Sequence, residues 1–294
     1  MIRAKSCLSL FALFFLLPVS ANAQQGAINN GLNYLQASQL TEGSWSSSIV
    51  AEYYATDEVL TTLNDLGQKY TDYTNSINWI TSQPLYNVDR ISRSIALLSS
   101  TGNLSNLLSY QNLDNGWGIG QFFSTDTLDT TLALDALKAV NYSNQTTISN
   151  AILYLVTNQN TDGGWGFYAG DDSNVYMTAM VSYTLEQFAR TSTLATALNN
   201  AMNYLTAHQN SDGGFGSSPS TVYETALAYI ALVGLTTDNT ILGNAANYLS
   251  STQSADGSWN EDAYSTTYKR ILLTSNVLFI YRNSIRRVNE DRFS

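Results

Sequence analysis

Cysteine is almost absent from this sequence of 294 residues, and its single copy is Cys7, near the amino terminus. The chain beyond it therefore has no disulfide, no thiolate metal ligand and no cysteine nucleophile. Histidine is equally scarce, with His208 as its one copy. Because a zinc site takes three or four protein ligands, mainly from these residue types, we predict no metal site. Nothing in the sequence indicates a cofactor.

Basic residues are scarce in the body of the chain, and the formal net charge is −10. Between residues 24 and 268 the basic residues are Lys69, Arg90, Arg93, Lys138 and Arg190. An acidic body repels phosphate backbones, so we predict no nucleic-acid partner. From Lys269 onward, basic residues outnumber acidic ones. This tail is predicted to be a solvated terminus or, alternatively, a contact with an anionic envelope surface.

An apolar run long enough to span a membrane is also missing. The one apolar stretch, CLSLFALFFLLPV, follows the basic MIRAK and precedes the small-residue site Ala21-Asn22-Ala23. This order is typical of a secretory signal peptide, so we predict that residues 1–23 are removed on export. Residues 24–294 are then one domain. Export without cysteine favours a bacterial periplasm or exterior.

The sequence does contain a repeated pairing of glutamine with an aromatic residue six positions later. The stretch NQNTDGGWGF (158–167) returns in altered form four times. The pairs are Gln39–Trp45, Gln111–Trp117, Gln159–Trp165, Gln209–Phe215 and Gln253–Trp259. Most copies lie more than forty residues apart, and such a period is typical of helical-pair solenoids, closed toroids or propellers.

The segments around each pair have helical patterns rather than the alternation of strands. Before the glutamine, a small residue and a tyrosine three positions later, such as Ala151 and Tyr154, mark an amphipathic outer helix. After the aromatic residue comes a segment that is apolar over more of its circumference, as at 174–188, which predicts a buried inner helix. We therefore predict an all-α fold, an α/α toroid of about six outer and inner helix pairs, with a degenerate region near residues 79–117.

The repeated stretch has a structural interpretation, and we call it the clamp motif. Outer helices are predicted to end at Gln39, Gln159, Gln209 and Gln253. The following Asp-Gly-Gly supplies a turn with positive φ, with Gly164 as one candidate. The aromatic residue packs back over this turn, and the glutamine amide bonds backbone groups at helix ends. For these aromatic residues, scaffold is strongly favoured over ligand binding.

The clamp motif resembles the QW motif of the squalene–hopene cyclase and oxidosqualene cyclase family. Protein prenyltransferase β-subunits share the α/α toroid of that family. The resemblance implies the same fold here. It does not extend to prenyltransferase activity, since that family holds zinc with Asp, Cys and His, and this chain lacks the ligands.

The resemblance also points to a candidate acid. The family's proton donor lies in a D-x-D-D-T motif at the start of an inner helix, and DTLDTT (126–131) is the matching stretch. Asp126 and Asp129 match the first and last acids, while Leu128 replaces the middle acid, which donates the proton in the family. Asp129 replaces that donor only if its carboxyl is protonated near neutral pH. The alternative is that Asp126 caps the helix and Asp129 occupies its first turn.

Two classes of function follow. In the first, the toroid is a secreted, non-catalytic binding module for an apolar, isoprenoid-like or peptide ligand in its central cavity. In the second, it is an enzyme, either a class II terpenoid cyclase or isomerase, or a carbohydrate-active lyase or hydrolase. The candidate catalytic residues are Asp126, Asp129 and Glu224, and the candidate ligand-binding residues at the cavity mouth are Tyr176, Tyr223, Tyr264 and Tyr268.

We favour the binding module, for three reasons. Leu128 has no proton to donate, the chain is roughly half as long as a full triterpene cyclase, and an exported protein has poor access to membrane-borne squalene. Glu224 occupies the repeat position of Asp129, one turn into its helix. Its carboxylate is expected either to converge with Asp129 in the cavity or to bond a neighbouring turn.

Overall fold

The computed structural model describes residues 17–46, 51–68, 72–260, 273–275 and 277–278, with side chains from residue 25 onward. The helices in chain order are α1 (Leu17–Ala37), α2 (Glu52–Leu66), α3 (Tyr73–Thr81), α4 (Val88–Leu98), α5 (Leu104–Ser109), α6 (Thr127–Ala139), α7 (Gln145–Thr157), α8 (Val175–Leu185), α9 (Ser192–Ala207), α10 (Val222–Leu235) and α11 (Asn239–Ser251). Pairing between extended segments is confined, in these ranges, to isolated bridges such as Gln253 with Trp259. The prediction of an all-α fold is confirmed.

The helices form two concentric layers. The even-numbered helices α2 to α10 each pack against the next one, and each also packs against the odd-numbered helix that follows it in the chain. Two contacts link the last repeat to the first: Thr62 Oγ1 donates to Ser275 O at 3.1 Å, and Gln253 Nε2 donates to Ala27 O at 2.9 Å. The described helices are therefore arranged as a closed α/α toroid. None of them has the length and hydropathy needed to cross a membrane.

The predicted ends of the outer helices agree with the structure to within two residues. Helices α1, α7, α9 and α11 end at Ala37, Thr157, Ala207 and Ser251. The degenerate region has short helices, and α5 has only six residues. In that region Gln83 lies two residues past the end of α3 and donates from Nε2 to Trp79 O of that helix at 3.1 Å, instead of bonding a following turn. Helix α1 contains the predicted cleavage site, and its cleavage remains a prediction.

Each regular clamp motif joins two repeats, as the copy at Gln159 shows. Gln159 Nε2 donates to Gly163 O and to Ala197 O, both at 2.8 Å. Ala197 lies within α9, the next outer helix, so the glutamine bridges neighbouring repeats rather than bonding only a helix end. Trp165 is fully buried and its Nε1 donates to Leu155 O at 2.7 Å. The scaffold interpretation of the aromatic residue agrees with this geometry.

Two features of the clamp motif differ from or add to the sequence analysis. The glycine with positive φ is Gly163 (φ 90°), not Gly164. A Cβ on Gly163 would lie 2.5 Å from Asn200 O in the next outer helix, while one on Gly164 would meet the Ser173 side chain at 2.6 Å. Sequence analysis also missed a threonine in the inner helix: Thr178 Oγ1 accepts the Trp165 N–H at 3.0 Å. Close packing thus requires glycine at both positions, and at Gly163 the positive φ requires it as well.

Candidate functional site

Asp126 and Asp129 lie together at the amino-terminal end of α6. Asp126 is the N-cap residue, and its Oδ1 accepts the Asp129 N–H at 2.8 Å. Both residues are buried, with 2% and 4% of their surface exposed. Capping holds the Asp126 carboxylate in place, and the backbone of the first turn brings the Asp129 carboxyl beside it.

The environment of this pair favours a shared proton. Burial, together with the negative charge of Asp126, raises the pKa of Asp129 to about 8. The protonated carboxyl of Asp129 then donates a hydrogen bond to the Asp126 carboxylate. Asp129 Oδ1 is buried and has no hydrogen-bond partner among the described residues. A raised pKa is the direction of shift that leaves Asp129 protonated near neutral pH.

The aspartate pair helps to line a cavity of about 410 Å³, which we call the mouth pocket. Its other lining residues are Ile119, Phe123, Ser124, Phe167 and Tyr168. These belong to the two loops that follow the clamp residues Trp117 and Trp165. The pocket thus combines an apolar rim with one buried acid pair.

Backbone bonds attach both loops to the inner helices. Phe167 O accepts the Thr127 N–H at the start of α6, and Ile119 O accepts the Val88 N–H at the start of α4, each at 2.9 Å. Phe123 is 61% exposed and Tyr168 is 48% exposed. Sequence analysis missed these residues. The available signal was the aromatic pair directly after the clamp in GQFFS and GFYAG, which the other copies lack.

Glu224 does not join the aspartate pair. Its Oε2 accepts the hydroxyl hydrogen of Thr221, the N-cap residue of its own helix, at 3.0 Å. Glu224 also influences the pKa of Tyr204, which lies on the outer helix α9. The sequence left open convergence with Asp129 or a bond to a neighbouring turn, and the structure has neither, since Glu224 bonds the N-cap threonine of its own helix.

Tyr176 and Tyr223 stack on each other with ring centroids 5.7 Å apart. They do not line the mouth pocket. Each occupies the repeat position of Leu128, two residues after the helix N-cap. The other two predicted mouth residues, Tyr264 and Tyr268, lie outside the described residues.

A second cavity, which we call the central cavity, lies among the inner helices further from their amino termini. It measures about 180 Å³, and its lining includes Asp57, Glu58, Arg93 and Asp135. Arg93 bonds Asp57, Glu58 and Asp89 at 3.3, 2.8 and 2.5 Å. Sequence analysis did not single out these residues. The sequence feature that could have revealed them is the presence of charged residues within the inner helices. The central cavity, predicted to hold an apolar or peptide ligand, therefore has one charged wall.

Comparison with known proteins agrees with this architecture. Residues 170–281 match the family model of the squalene-hopene cyclase C-terminal domain. The chain has the α/α-toroid fold of the terpenoid cyclases. No curated protein sequence matches it.

Three solved structures illustrate the likeness. A protein from Actinoplanes superposes with a TM-score of 0.69 and 15% identity, over 89% of this chain and 99% of that one. The ent-copalyl diphosphate synthase from Streptomyces platensis superposes with a TM-score of 0.61 and 18% identity, over 79% of this chain and 50% of the synthase. A possible member of the GH105 family from Klebsiella pneumoniae superposes with a TM-score of 0.61 and 11% identity, over 98% of this chain and 96% of that one. At these identities the likeness establishes the fold, and function depends on the site.

Proposed function

We propose that this protein binds an apolar, isoprenoid-like ligand in the mouth pocket. The observation that carries the proposal is the lining: Ile119, Phe123, Phe167 and Tyr168 face a cavity of about 410 Å³ while keeping exposed apolar surface. Exposed apolar groups gathered around a concave site mark a binding surface, because covering them releases water from apolar contact. The terpenoid-cyclase fold supports an isoprenoid in preference to a peptide.

The rigid attachment of the pocket also favours binding. Phe167 belongs to a loop bonded through its backbone to α6, and its ring packs edge-to-face on Tyr168 with centroids 4.9 Å apart. A ligand therefore meets a wall that is already formed, so that less side-chain entropy is lost on binding.

The binding test compares two adjacent phenylalanines. Phe123 lines the mouth pocket, whereas Phe122 is 93% exposed and does not. We expect Phe123→Ala to weaken binding of farnesol about tenfold, the scale of one lost aromatic contact. Phe122→Ala should leave the affinity unchanged. Titration calorimetry or ligand-observed NMR measures both. Equal effects of the two variants, or no farnesol binding by the wild type, would contradict the proposal.

A second function, proton transfer to the bound ligand, is favoured by one specific observation. Asp129 combines a raised pKa with a buried oxygen that has no hydrogen-bond partner among the described residues, beside an apolar pocket. Such a carboxyl retains a proton near neutral pH, which transfer to an alkene requires, although the raised pKa also makes it a weaker acid than an ordinary aspartate; Asp126 would position it. A glycosidase needs two carboxylates on opposite sides of its substrate, and the hydrogen-bonded pair in the mouth pocket does not offer that arrangement.

Product analysis separates binding from acid catalysis. The protein is incubated with squalene and with linear C15–C20 polyprenols, and cyclic products are sought by mass spectrometry. Binding alone predicts no product from the wild type, because Leu128 stands where the family has its donor. Products that disappear in Asp129→Asn would establish Asp129 as the acid. Products from Leu128→Asp alone would indicate a scaffold that lacks only the donor.

A further inference from the structure

The central cavity is a site separate from the mouth pocket, and the two share no lining residue. One wall is polar, with Asp57, Glu58 and Arg93. The facing wall is apolar and includes Leu132, Met180, Leu227 and Ile230. A void that contains one water needs roughly 10–15 Å³, so a cavity of about 180 Å³ has room for a ligand of roughly ten non-hydrogen atoms. The cavity is therefore large enough for a small molecule with both a polar and an apolar end.

Negative charge is in excess around this cavity. Among the described lining residues Arg93 is the only basic one, and it bonds three carboxylates at once, those of Asp57, Glu58 and Asp89. A fourth carboxylate, that of Asp135, accepts hydrogen bonds from Thr184 and Gln187 and has no direct bond to Arg93 among the described contacts. One guanidinium does not balance four carboxylates when all are ionised, so a further cation in the cavity would favour the fully ionised state.

An unpartnered oxygen marks where that cation would bind. Asp57 is 3% exposed, and only its Oδ2 contacts Arg93. Its Oδ1 is buried without a hydrogen-bond partner among the described residues, and so is the hydroxyl of Ser92, which is 1% exposed. Both residues line the cavity. Buried polar atoms are almost always hydrogen-bonded, and leaving one unpaired is costly. Two such atoms at one cavity wall therefore point to a hydrogen-bond donor that occupies the cavity.

We infer that the central cavity binds a small alkylammonium ion, with its ammonium group at Asp57 Oδ1 and Ser92 Oγ and its alkyl chain along Leu132, Met180 and Leu227. An ammonium group carries three donors and one positive charge, which matches the unpaired acceptors and the excess of carboxylates. The described residues contain no group of three or more His, Cys, Asp or Glu arranged to hold a metal ion. The apolar wall likewise suits an alkyl chain better than a hydrated metal ion.

Ionisation of the wall supports the same inference. Burial raises the pKa of Asp57 to about 7, against the opposing effect of Arg93. The other ionisable groups that face Asp57 are Tyr53 and Glu58 on α2 and Asp89 on α4. A bound cation would stabilise the Asp57 carboxylate and lower its pKa, so binding near neutral pH should release a proton.

Calorimetry with matched probes tests the inference. The probes are n-pentylammonium and its neutral counterpart 1-pentanol, titrated into the full chain in two buffers of different ionisation enthalpy. We expect 1:1 binding of the ammonium with proton release, and binding of the alcohol at least about tenfold weaker. Equal affinities for the two probes, or no heat from the ammonium at millimolar concentration, would overturn the inference.

Three variants locate the site. Asp57→Asn removes the charge at nearly constant shape and should weaken ammonium binding about tenfold. Asp172→Asn, a matched change at an exposed position, should have no effect. Should Asp57→Asn lower the melting temperature too far, Ala96→Leu fills the cavity without changing its charge and should also abolish binding. Unchanged ammonium affinity in Asp57→Asn or in Ala96→Leu places the cation elsewhere and contradicts the inference. Farnesol binding at the mouth pocket should be the same in all three.

Discussion

The polar groups of the clamp motifs and those of the inner helices that line the two cavities, which we call the inner wall, differ in how completely they are hydrogen-bonded. In the clamp at Gln159 the side-chain amide bonds two carbonyls and the indole of Trp165 bonds a third. On the inner wall, Asp57 and Asp129 each keep a buried oxygen without a partner among the described residues. The clamp also recurs from repeat to repeat, whereas the position of Asp129 is Met177 in α8. Repeated, fully bonded residues build the fold, and single, incompletely bonded residues remain available for ligands.

The largest expected effect separates a clamp residue from a rim residue two positions away. Trp165 is fully buried, whereas Phe167 is 37% exposed. Trp165→Ala should lower the free energy of unfolding by about 3–5 kcal/mol, because it leaves a large cavity. Phe167→Ala should cost less than about 1.5 kcal/mol but weaken farnesol binding. Chemical denaturation measures both. Loss of farnesol binding with an unchanged melting temperature in Trp165→Ala would indicate that Trp165 contributes to ligand binding and not to the stability of the fold.

A pair of glycines tests whether close packing, and not backbone angle alone, makes the clamp rigid. Gly163 and Gly170 both have positive φ, of 90° and 87°. A Cβ on Gly163 would lie 2.5 Å from Asn200 O, whereas one on Gly170 would meet nothing within 4 Å. We expect Gly163→Ala to cost about 2–4 kcal/mol and Gly170→Ala about 1 kcal/mol. If thermal or chemical denaturation showed similar losses of stability for the two variants, the next outer helix would be able to move aside for the added Cβ at little cost.

A third expected effect concerns the ionisation of the carboxyls that line the central cavity. Burial raises the pKa of Asp57 and of Asp135 to about 7, from an ordinary value of 3.8. The folded state therefore binds protons more tightly than the unfolded chain, so this contribution to stability is present at low pH and is lost as pH rises through about 7. Because one pKa unit corresponds to about 1.4 kcal/mol, stability should decrease by about 2–3 kcal/mol for each of these two groups between about pH 5 and about pH 8.

Variants assign that pH dependence. Asp57→Asn should make the dependence of melting temperature on pH shallower, because Asp57 no longer titrates while Asp135 still does. Asp172→Asn should leave it unchanged, since residue 172 is exposed. A wild-type protein that becomes more stable from acidic to neutral pH would show that the inner-wall carboxyls are ionised at low pH. The contrast with the fully bonded clamp would then be lost.

Sequence reasoning reached the fold because the clamp is a local pattern that recurs. The glutamine and aromatic residue lie six positions apart, and a helix on each side is visible from periodicity alone. It also identified Asp126 as a possible helix cap, because the Asp126 carboxylate and the Asp129 N–H that it accepts are only three residues apart in sequence. It named Gly164 as a candidate for the positive φ, which the structure has at Gly163, because either glycine suits the same turn in sequence.

The sequence by itself determined the helices, their pairing into repeats and the aromatic residues that join them, since each depends on residues a few positions apart. Only the tertiary structure decided which side chains face a cavity and how they ionise. Arg93 meets Asp57 across 36 positions of sequence, and the rim of the mouth pocket joins two loops from successive repeats. The same Asp129 would be an ordinary carboxylate in water, and burial beside Asp126 gives it a proton near neutral pH.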